Sequence, residues 1–400
     1  MNHRLTRRQW LAAASATGLG AVAGPLRAQD SDAASAPAAA ASTPRPIKPA
    51  GEANPIVIGQ SAQLSGPLAG PLVSVLAGQK LAIDDFNARG GVAGRKVVLV
   101  TLDDAYDPKQ CVQNTTRLIE QDKVTALFGY GSTANVGAVL PLLAEKQVLL
   151  IGPYTGAPNL RMRQHPFFFT TMASYRDEVV AMMKNLKTLL RDNIALVYQA
   201  NPFGQLMLPV VEEVAKELGV TLVAKAALEV NGSNALAAAQ QVGAAHPQAL
   251  IFLGYGPSMV PLVKAARAWV GAPIYVVSVA VAKPILDALG DDARGLAMTL
   301  LLPSPFRPTG ALTRDFNRLM TKAGFAIDYD HFFGFVNTRV LLEGLKRAGP
   351  KLTPLTLVQT FEKMTKYDLG GYTVQYGPQN HHGSHFVDIG IVGPGGRFIQ

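Results

Sequence analysis

The chain has 400 residues, of which 48% are hydrophobic and 16% are charged. This composition excludes a largely disordered protein and predicts a globular chain with room for about two domains. A single cysteine, Cys111, excludes an intramolecular disulfide. The basic residues are dispersed among carboxylates and are not interleaved with aromatic residues, so the sequence argues against nucleic-acid binding.

The first 28 residues have the pattern of an export signal. Residues 1–8 are basic, and the apolar stretch 10–23 is too short to span a bilayer comfortably. Residues 6–11 match the twin-arginine pattern, and an ordinary secretory signal remains the alternative. Both routes predict a protein located outside the cytoplasm. Residues 29–53 are rich in Ala, Ser and Pro, which is typical of a flexible spacer.

Short apolar runs and helical patterns then alternate through the first half of the chain. Strands are predicted at residues 56–59, 97–100, 124–128 and 148–151, with a helix after each of the first three. Asp107 and Pro108 have the types expected at the N-cap and first turn of the second helix. Because the strands are continuously apolar, we expect a parallel sheet covered by helices on both faces.

The alternation restarts after a connecting region at residues 167–175. Strands are predicted at residues 194–198, 220–224, 250–253 and 274–277, with helices at 204–218, 233–243 and 258–269. Residues 306–345 are predicted to be helical, and residues 372–376 and 386–391 are predicted to be late strands. The predicted fold class is α/β, with two doubly wound parallel-sheet lobes.

Candidate site residues follow the predicted strands, because ligands of open α/β sheets bind beyond the carboxyl ends of the strands. Ser132 and Thr133 lie between a strand and a helix, where hydroxyls and free amides bind anions. The alternative is that they only cap the helix. Tyr154, Thr155 and Gly156 form a similar turn one strand away.

The corresponding turns of the second half contain Phe203, Tyr255 and Ser278. Their aromatic surface and low charge favour a pocket for an organic solute. The alternative is that Phe203 and Tyr255 are packing residues at the edges of the lobes.

Signatures of enzymes and of metal sites are weak in this sequence. It has no Gly-x-Ser-x-Gly elbow, no phosphate-binding Gly-Lys-Ser/Thr loop and no Cys-x-x-Cys pair. His381, His382 and His385 form one local cluster, but the surrounding Asn, Gly and Ser residues predict an exposed turn. We therefore predict no catalytic residue, no metal and no cofactor.

Three motifs resemble one family when they are taken in order. Residues 63–69, 82–91 and 103–110 look like segments of the leucine/isoleucine/valine-binding periplasmic proteins, the substrate-binding components of ABC importers. Residues 154–161 and 173–178 resemble the same broad family, and the resemblance extends over residues 55–391. It implies the type I periplasmic binding protein fold, in which two lobes are joined by a three-segment hinge.

The resemblance also implies where the lobes and the ligand lie. The crossovers fall near Met172, Pro303 and Gly371, so lobe one is 54–172 plus 304–370 and lobe two is 173–303 plus 371–400. The ligand carboxylate would meet Ser132, Thr133 and the turn 154–156, and Phe203 and Tyr255 would face the cleft from lobe two.

Two departures from the family pattern concern the ligand's ammonium group. Gly156 stands where amino-acid binders place a hydroxyl residue, and residues 278–280 stand where they place an acid. An ammonium would lose a charged hydrogen bond, commonly worth about 1.5 to 3 kcal/mol. The ligand implied is therefore either an amino acid of the branched-chain type or a related small organic carboxylate.

The function implied is that of a monomeric periplasmic receptor, not an enzyme, which delivers this solute to an ABC importer permease. The alternative is a ligand-sensing module for a signalling partner, because one fold serves several functions.

Overall fold

The computed structural model describes residues 54–65, 69–162, 164–280, 283–394 and 398–399. The predicted export signal, the spacer and residues 66–68 of the first family motif lie outside these ranges. Within them, no helix combines the length and apolar character that crossing a membrane requires.

The first sheet is parallel and is formed by the N-terminal third of the chain. Its strand order is β2-β1-β3-β4-β5. The elements are β1 (Ile56–Ala62), α1 (Ala69–Ala88), β2 (Val97–Asp103), α2 (Pro108–Glu120), β3 (Ala126–Phe128), α3 (Thr133–Lys146), β4 (Leu150–Ile151) and β5 (Phe168–Phe169). Asp107 caps α2 as predicted, because its side chain accepts a hydrogen bond from the Lys109 amide.

The second sheet is mixed, with strand order β14-β13-β10-β9-β8-β6-β7 among the described residues. It is built with α4 (Tyr175–Thr188), β6 (Asn193–Gln199), α5 (Pro202–Leu218), β7 (Thr221–Leu228), α6 (Ala235–Gly243), β8 (Ala249–Leu253), α7 (Met259–Trp269), β9 (Ile274–Val276), α8 (Lys283–Leu289) and β10 (Ala297–Leu300). Strands β6 to β10 are parallel, β13 (Asp388–Val392) pairs antiparallel with β10, and β14 (Phe398–Ile399) pairs antiparallel with β13.

The chain crosses back to the first sheet between β10 and β13. This return contains α9 (Ala311–Ala323), α10 (Tyr329–Ala348), α11 (Pro354–Glu362), β11 (Tyr367–Asp368) and β12 (Thr373–Val374). Helix α10 packs along α1, and the two helices approach closely at Gly78 and Gly334, since a Cβ at either glycine would clash with backbone of the opposite helix. The start of α10 is thereby held beside the first sheet.

The α/β class with two parallel-dominated sheets is confirmed, but several elements differ from the predictions. The predicted strand 372–376 is only Thr373–Val374, and the helical region 306–345 is interrupted after α9 by Gly324, which ends that helix in a left-handed conformation. Helix α4 was missed, although Ser174 and Asp177 form a capping box at its start.

Candidate functional site: a cleft between the two sheets

The turns that follow β3 and β4 are joined to each other at the edge of the first sheet. Gly131 and Tyr154 form an isolated parallel bridge, and the Tyr154 amide donates a 2.7 Å hydrogen bond to the Tyr130 carbonyl. The Thr133 and Thr155 hydroxyl oxygens lie 2.8 Å apart. The structure therefore brings together two of the turns that the sequence singled out separately.

Ser132 has a structural role in this arrangement. It is buried, its φ is 63°, and its hydroxyl accepts a 3.4 Å hydrogen bond from the Asn135 amide at the start of α3. Capping, the alternative for this residue, is thus present, and contact with a ligand stays a prediction. The nearby Asn135 side chain is fully buried, and neither of its polar atoms has a hydrogen-bond partner among the described residues.

A cleft of about 550 Å³, partly open to solvent, lies between the two sheets. Tyr154 and Thr155 line it from the first sheet, Ser278 and residues 298–302 line it from the second, and Met172 and Tyr175 line it from the segment between them. Its lining is mainly hydrophobic and aromatic with a few polar groups, which is typical of small-molecule sites. We refer to it as the central cleft.

Helix α10 contributes the remaining wall of the central cleft through Tyr329, Asp330 and Phe333. The rings of Tyr154 and Phe333 meet edge to face, with centroids 4.7 Å apart. Sequence reasoning missed these three residues, because they lie about 175 residues after Tyr154 and reach the cleft only through the return of the chain.

Phe203 and Tyr255 lie behind Tyr175 and do not line the central cleft themselves. Phe203 packs edge to face on Tyr175 at 5.2 Å and on Tyr255 at 5.5 Å. The three rings form one edge-to-face cluster that packs against the cleft wall. Burial raises the pKa of Tyr175 to about 12, so its phenol is protonated at neutral pH.

Gly156 is a packing position. Its carbonyl accepts a 2.8 Å hydrogen bond from the Tyr175 amide, and a Cβ at this residue would lie 2.9 Å from both that nitrogen and Cδ1 of the tyrosine ring. The close approach of Tyr175 therefore explains the absence of a hydroxyl side chain at Gly156. Tyr175 and a side chain at position 156 cannot occupy the same space.

Ser278 is held by a buried acid that the sequence comparison did not identify. Its amide and hydroxyl donate hydrogen bonds of 2.8 and 2.9 Å to the Glu178 carboxylate, and the Thr299 hydroxyl donates a third. Glu178 is fully buried. Burial raises its pKa to about 7, although the three hydrogen bonds oppose the shift. An acid is thus present behind Ser278, but it does not line the central cleft.

Asp330 is the one carboxylate among the described residues that line the central cleft, and none of these lining residues is Lys, Arg or His. It lies in the first turn of α10, where Asp328 caps the helix by accepting from the His331 amide at 2.8 Å. Burial, and then repulsion by Asp328, raise the pKa of Asp330 to about 7. Its carboxylate is therefore poorly solvated where it faces the cleft.

The histidine cluster does not form the exposed turn that the sequence predicted. His381 is buried, stacks on Phe169 with centroids 3.7 Å apart, and has ring nitrogens 2.9 Å from the His165 carbonyl and 3.3 Å from Glu362. The exposed side chain is that of His385, which lies 3.2 Å from Asp177. Within the described ranges, no group of three potential metal ligands occurs.

Solved structures share this architecture. An extracellular ligand-binding receptor from Verminephrobacter eiseniae is 27% identical, with a TM-score of 0.80 over 86% of this chain and 100% of that one. A substrate-binding periplasmic protein from Ralstonia solanacearum is 31% identical, with a TM-score of 0.77 over 86% of this chain and 99% of that one. These similarities confirm the predicted two-lobed type I fold.

Relatives of known binding activity match part of the chain. A Leu/Ile/Val/Thr-binding protein of Salmonella typhimurium is 25% identical over 238 residues, which are 59% of this chain and 65% of the relative. The chain thus matches less than two thirds of the length of such relatives. A family model described as periplasmic binding protein matches residues 55–397. The chain therefore belongs to the periplasmic binding protein family, as its resemblance to the Leu/Ile/Val-binding proteins predicted.

Proposed function

We propose that this protein is a periplasmic receptor that binds an amino acid or a related small organic carboxylate and delivers it to an ABC importer permease. The observation that carries the proposal is the central cleft, which is lined from the carboxyl ends of strands in both sheets. A ligand in this position contacts both halves of the protein at once. Such a ligand stabilises the arrangement in which the halves are closed.

Packing at the crossovers supports a hinge beside the central cleft. Met172, Ala173 and Leu301 form a small buried cluster of their own, packed against Tyr154, Phe333 and Val387. The three members come from two of the segments that the sequence assigned to the crossovers, near Met172 and near Pro303, and we propose lobes of 54–172 plus 304–370 and 173–303 plus 371–400. Rotation about this cluster would open the cleft without disturbing either sheet.

The turns at the edge of the first sheet are the proposed site for the ligand's carboxylate. Thr133 and Thr155 hydroxyls lie within hydrogen-bond distance of each other, and Ser132 begins a 14-residue helix whose N-terminal amides favour an anion. Tyr154 and Ser278 would contact the ligand from facing walls. Phe203 and Tyr255 would hold Tyr175 in place, and Gly156 would leave room for its close approach.

Several features of the protein as a whole belong to this proposal. It is a monomer without catalytic activity, exported to the periplasm, and the arginine pair at residues 7–8 favours the twin-arginine route. Its membrane partner is the permease, which recognises the ligand-bound, closed form.

Thermal unfolding of residues 29–400 against a library of amino acids, aromatic acids and small dicarboxylates tests the function. A saturating ligand at a hundredfold excess over Kd adds about 2.7 kcal/mol of stability, which raises Tm by several degrees. Thr155→Ala should weaken the shift, whereas Thr188→Ala, an exposed threonine at the end of α4, should leave it unchanged. A library without any shift would contradict the proposal.

A further inference from the structure

Asp330 has no partner of opposite charge among the residues that the structure describes. No ion pair or side-chain hydrogen bond of Asp330 occurs in the part of the chain that the structure describes, whereas its neighbour Asp328 is bound to the amide and the ring Nδ1 of His331, both at 2.8 Å. The acid at position 330 is therefore available to a ligand in the central cleft.

The electrostatic surroundings of the cleft wall are negative. The pKa of Tyr154 is raised, chiefly by burial, and then by Asp330, Tyr175 and Glu178. A half-buried cation of this region, Arg161, donates to the carbonyls of Met172 and Ala173 at 3.0 and 3.3 Å and does not line the cleft. An anionic group placed beside Asp330 would meet repulsion without a compensating charge.

Aromatic rings surround the same space. Tyr154, Tyr175, Tyr329 and Phe333 all line the central cleft with Asp330. The faces of such rings attract cations, and the attraction strengthens where water is excluded. One carboxylate among several rings is a lining that suits an organic cation better than a neutral or an anionic group.

We propose that Asp330 is a specificity-determining residue, which selects ligands that carry a protonated nitrogen and binds that nitrogen at the α10 wall of the central cleft. This inference rests on the proposed function. Asp330 supplies from α10 the negative charge that residues 278–280 lack. The α-ammonium of an amino acid is one protonated nitrogen that Asp330 would bind. The ligand's carboxylate, when there is one, points away from Asp330 toward the turns after β3 and β4.

A trio of matched probes tests the selection by titration calorimetry at pH 8. The three probes share one aliphatic group. Leucine carries both a carboxylate and an ammonium, 4-methylpentanoate carries only the carboxylate, and 3-methylbutylamine carries only the ammonium. Lysine and norleucine form a second pair that differs by the side-chain ammonium. Among the probes that bind the wild type, we expect those with a protonated nitrogen to bind at least about tenfold more tightly than 4-methylpentanoate, as for loss of one charged hydrogen bond.

Asp330→Asn removes the charge and keeps the shape, so it should abolish most of this preference. Asp291→Asn, at an exposed carboxylate outside the cleft, should leave the preference unchanged. Asp330→Leu serves as a second variant. If neither variant folds, the relative affinities of the probes for the wild-type protein decide whether the selection exists.

The outcomes separate this inference from the proposed function. Binding of 4-methylpentanoate by the wild type as tightly as leucine, or an unaltered preference in Asp330→Asn, overturns the selection by Asp330 and leaves the receptor function standing. Binding of none of these probes or of the thermal-unfolding library overturns both.

Discussion

Two walls of the central cleft each contain an acid whose pKa burial raises to about 7, yet the acids differ in their surroundings. Glu178 is fully buried behind the second-sheet wall and receives three hydrogen bonds from Ser278 and Thr299. Asp330 lines the cleft itself and receives none from the described residues. A raised pKa therefore does not by itself identify a functional acid. What separates a structural carboxylate from one available to a ligand is whether protein donors already occupy it.

The largest effect on stability is expected at Glu178, the acid that already accepts three hydrogen bonds from the protein. Glu178→Ala leaves the Ser278 amide and two hydroxyls without their acceptor in a buried place, so we expect a loss of about 3 kcal/mol in the free energy of unfolding. Denaturant unfolding measures this loss. A change below about 0.5 kcal/mol would show that the network around Glu178 does not stabilise the fold.

The available acid should make ligand binding depend on pH. Below its pKa of about 7, Asp330 is protonated in the free protein and cannot pair with a cation. The affinity for a protonated-nitrogen ligand should therefore fall as pH falls from 8 to 5, by up to about tenfold per unit below pH 7. Calorimetry across this range measures the effect, and Asp330→Asn should flatten the profile. A flat wild-type profile would contradict the role of Asp330.

Over part of this pH range, the contribution of Glu178 to the free energy of unfolding should change in the direction opposite to the ligand affinity. Glu178 has a folded-state pKa above its unfolded value of about 4.5, so the folded protein holds the extra proton between these values. Its contribution to the free energy of unfolding should therefore fall as pH rises from about 4.5 to 7. Comparison of wild type with Glu178→Gln across this window isolates the contribution. A contribution that rises with pH would contradict the assignment.

Gly156→Ala tests the packing that supports the first-sheet wall. The added Cβ would lie 2.9 Å from two atoms of Tyr175, so the tyrosine must shift, at a cost of about 1 to 3 kcal/mol. Ligand affinity should fall as well, because Tyr175 lines the central cleft. Gly70→Ala is the matched control, since a Cβ there has nothing within 4 Å. Equal stability of the two variants would exclude a packing role for Gly156.

Ser278→Ala is expected to have the smallest effect, and it shows whether the Ser278 hydroxyl serves the fold or the ligand. Ser278→Ala removes one of the three hydrogen bonds to Glu178, which should lower the free energy of unfolding by about 1 kcal/mol. Because the Ser278 hydroxyl donates its one hydrogen to Glu178, it can contact the ligand only as an acceptor, and ligand affinity should change less than threefold. A tenfold loss of affinity at unchanged stability would mean that the hydroxyl serves the ligand instead.

The fold was largely predictable because its strands carry a local signal. Continuous apolar runs such as 97–100 and 274–277 indicated parallel strands, and the structure has them. The second run is buried as expected, whereas β2 is an edge strand in which Val98 is exposed. The antiparallel β13 and β14 could not be placed in the same way. Their position depends on where the chain returns after α10, and no local pattern records that path.

The candidate site was predictable in part for the same reason. Thr133 and Thr155 follow adjacent strands, so the ends of those strands brought their hydroxyls together. Asp330 comes from a distant helix, and only the packing of α10 on α1 carries it to the central cleft. The polar composition around His381 predicted exposure, but the stacking of its ring on Phe169 buries it.

A crystal structure of the protein with the tightest-binding ligand of the thermal-unfolding library tests the proposed binding mode most directly. The expected result is a ligand in the central cleft that contacts both sheets, with a protonated nitrogen about 3 Å from an Asp330 carboxylate oxygen. A ligand bound outside the cleft, or one whose carboxylate lies against Asp330, would contradict it.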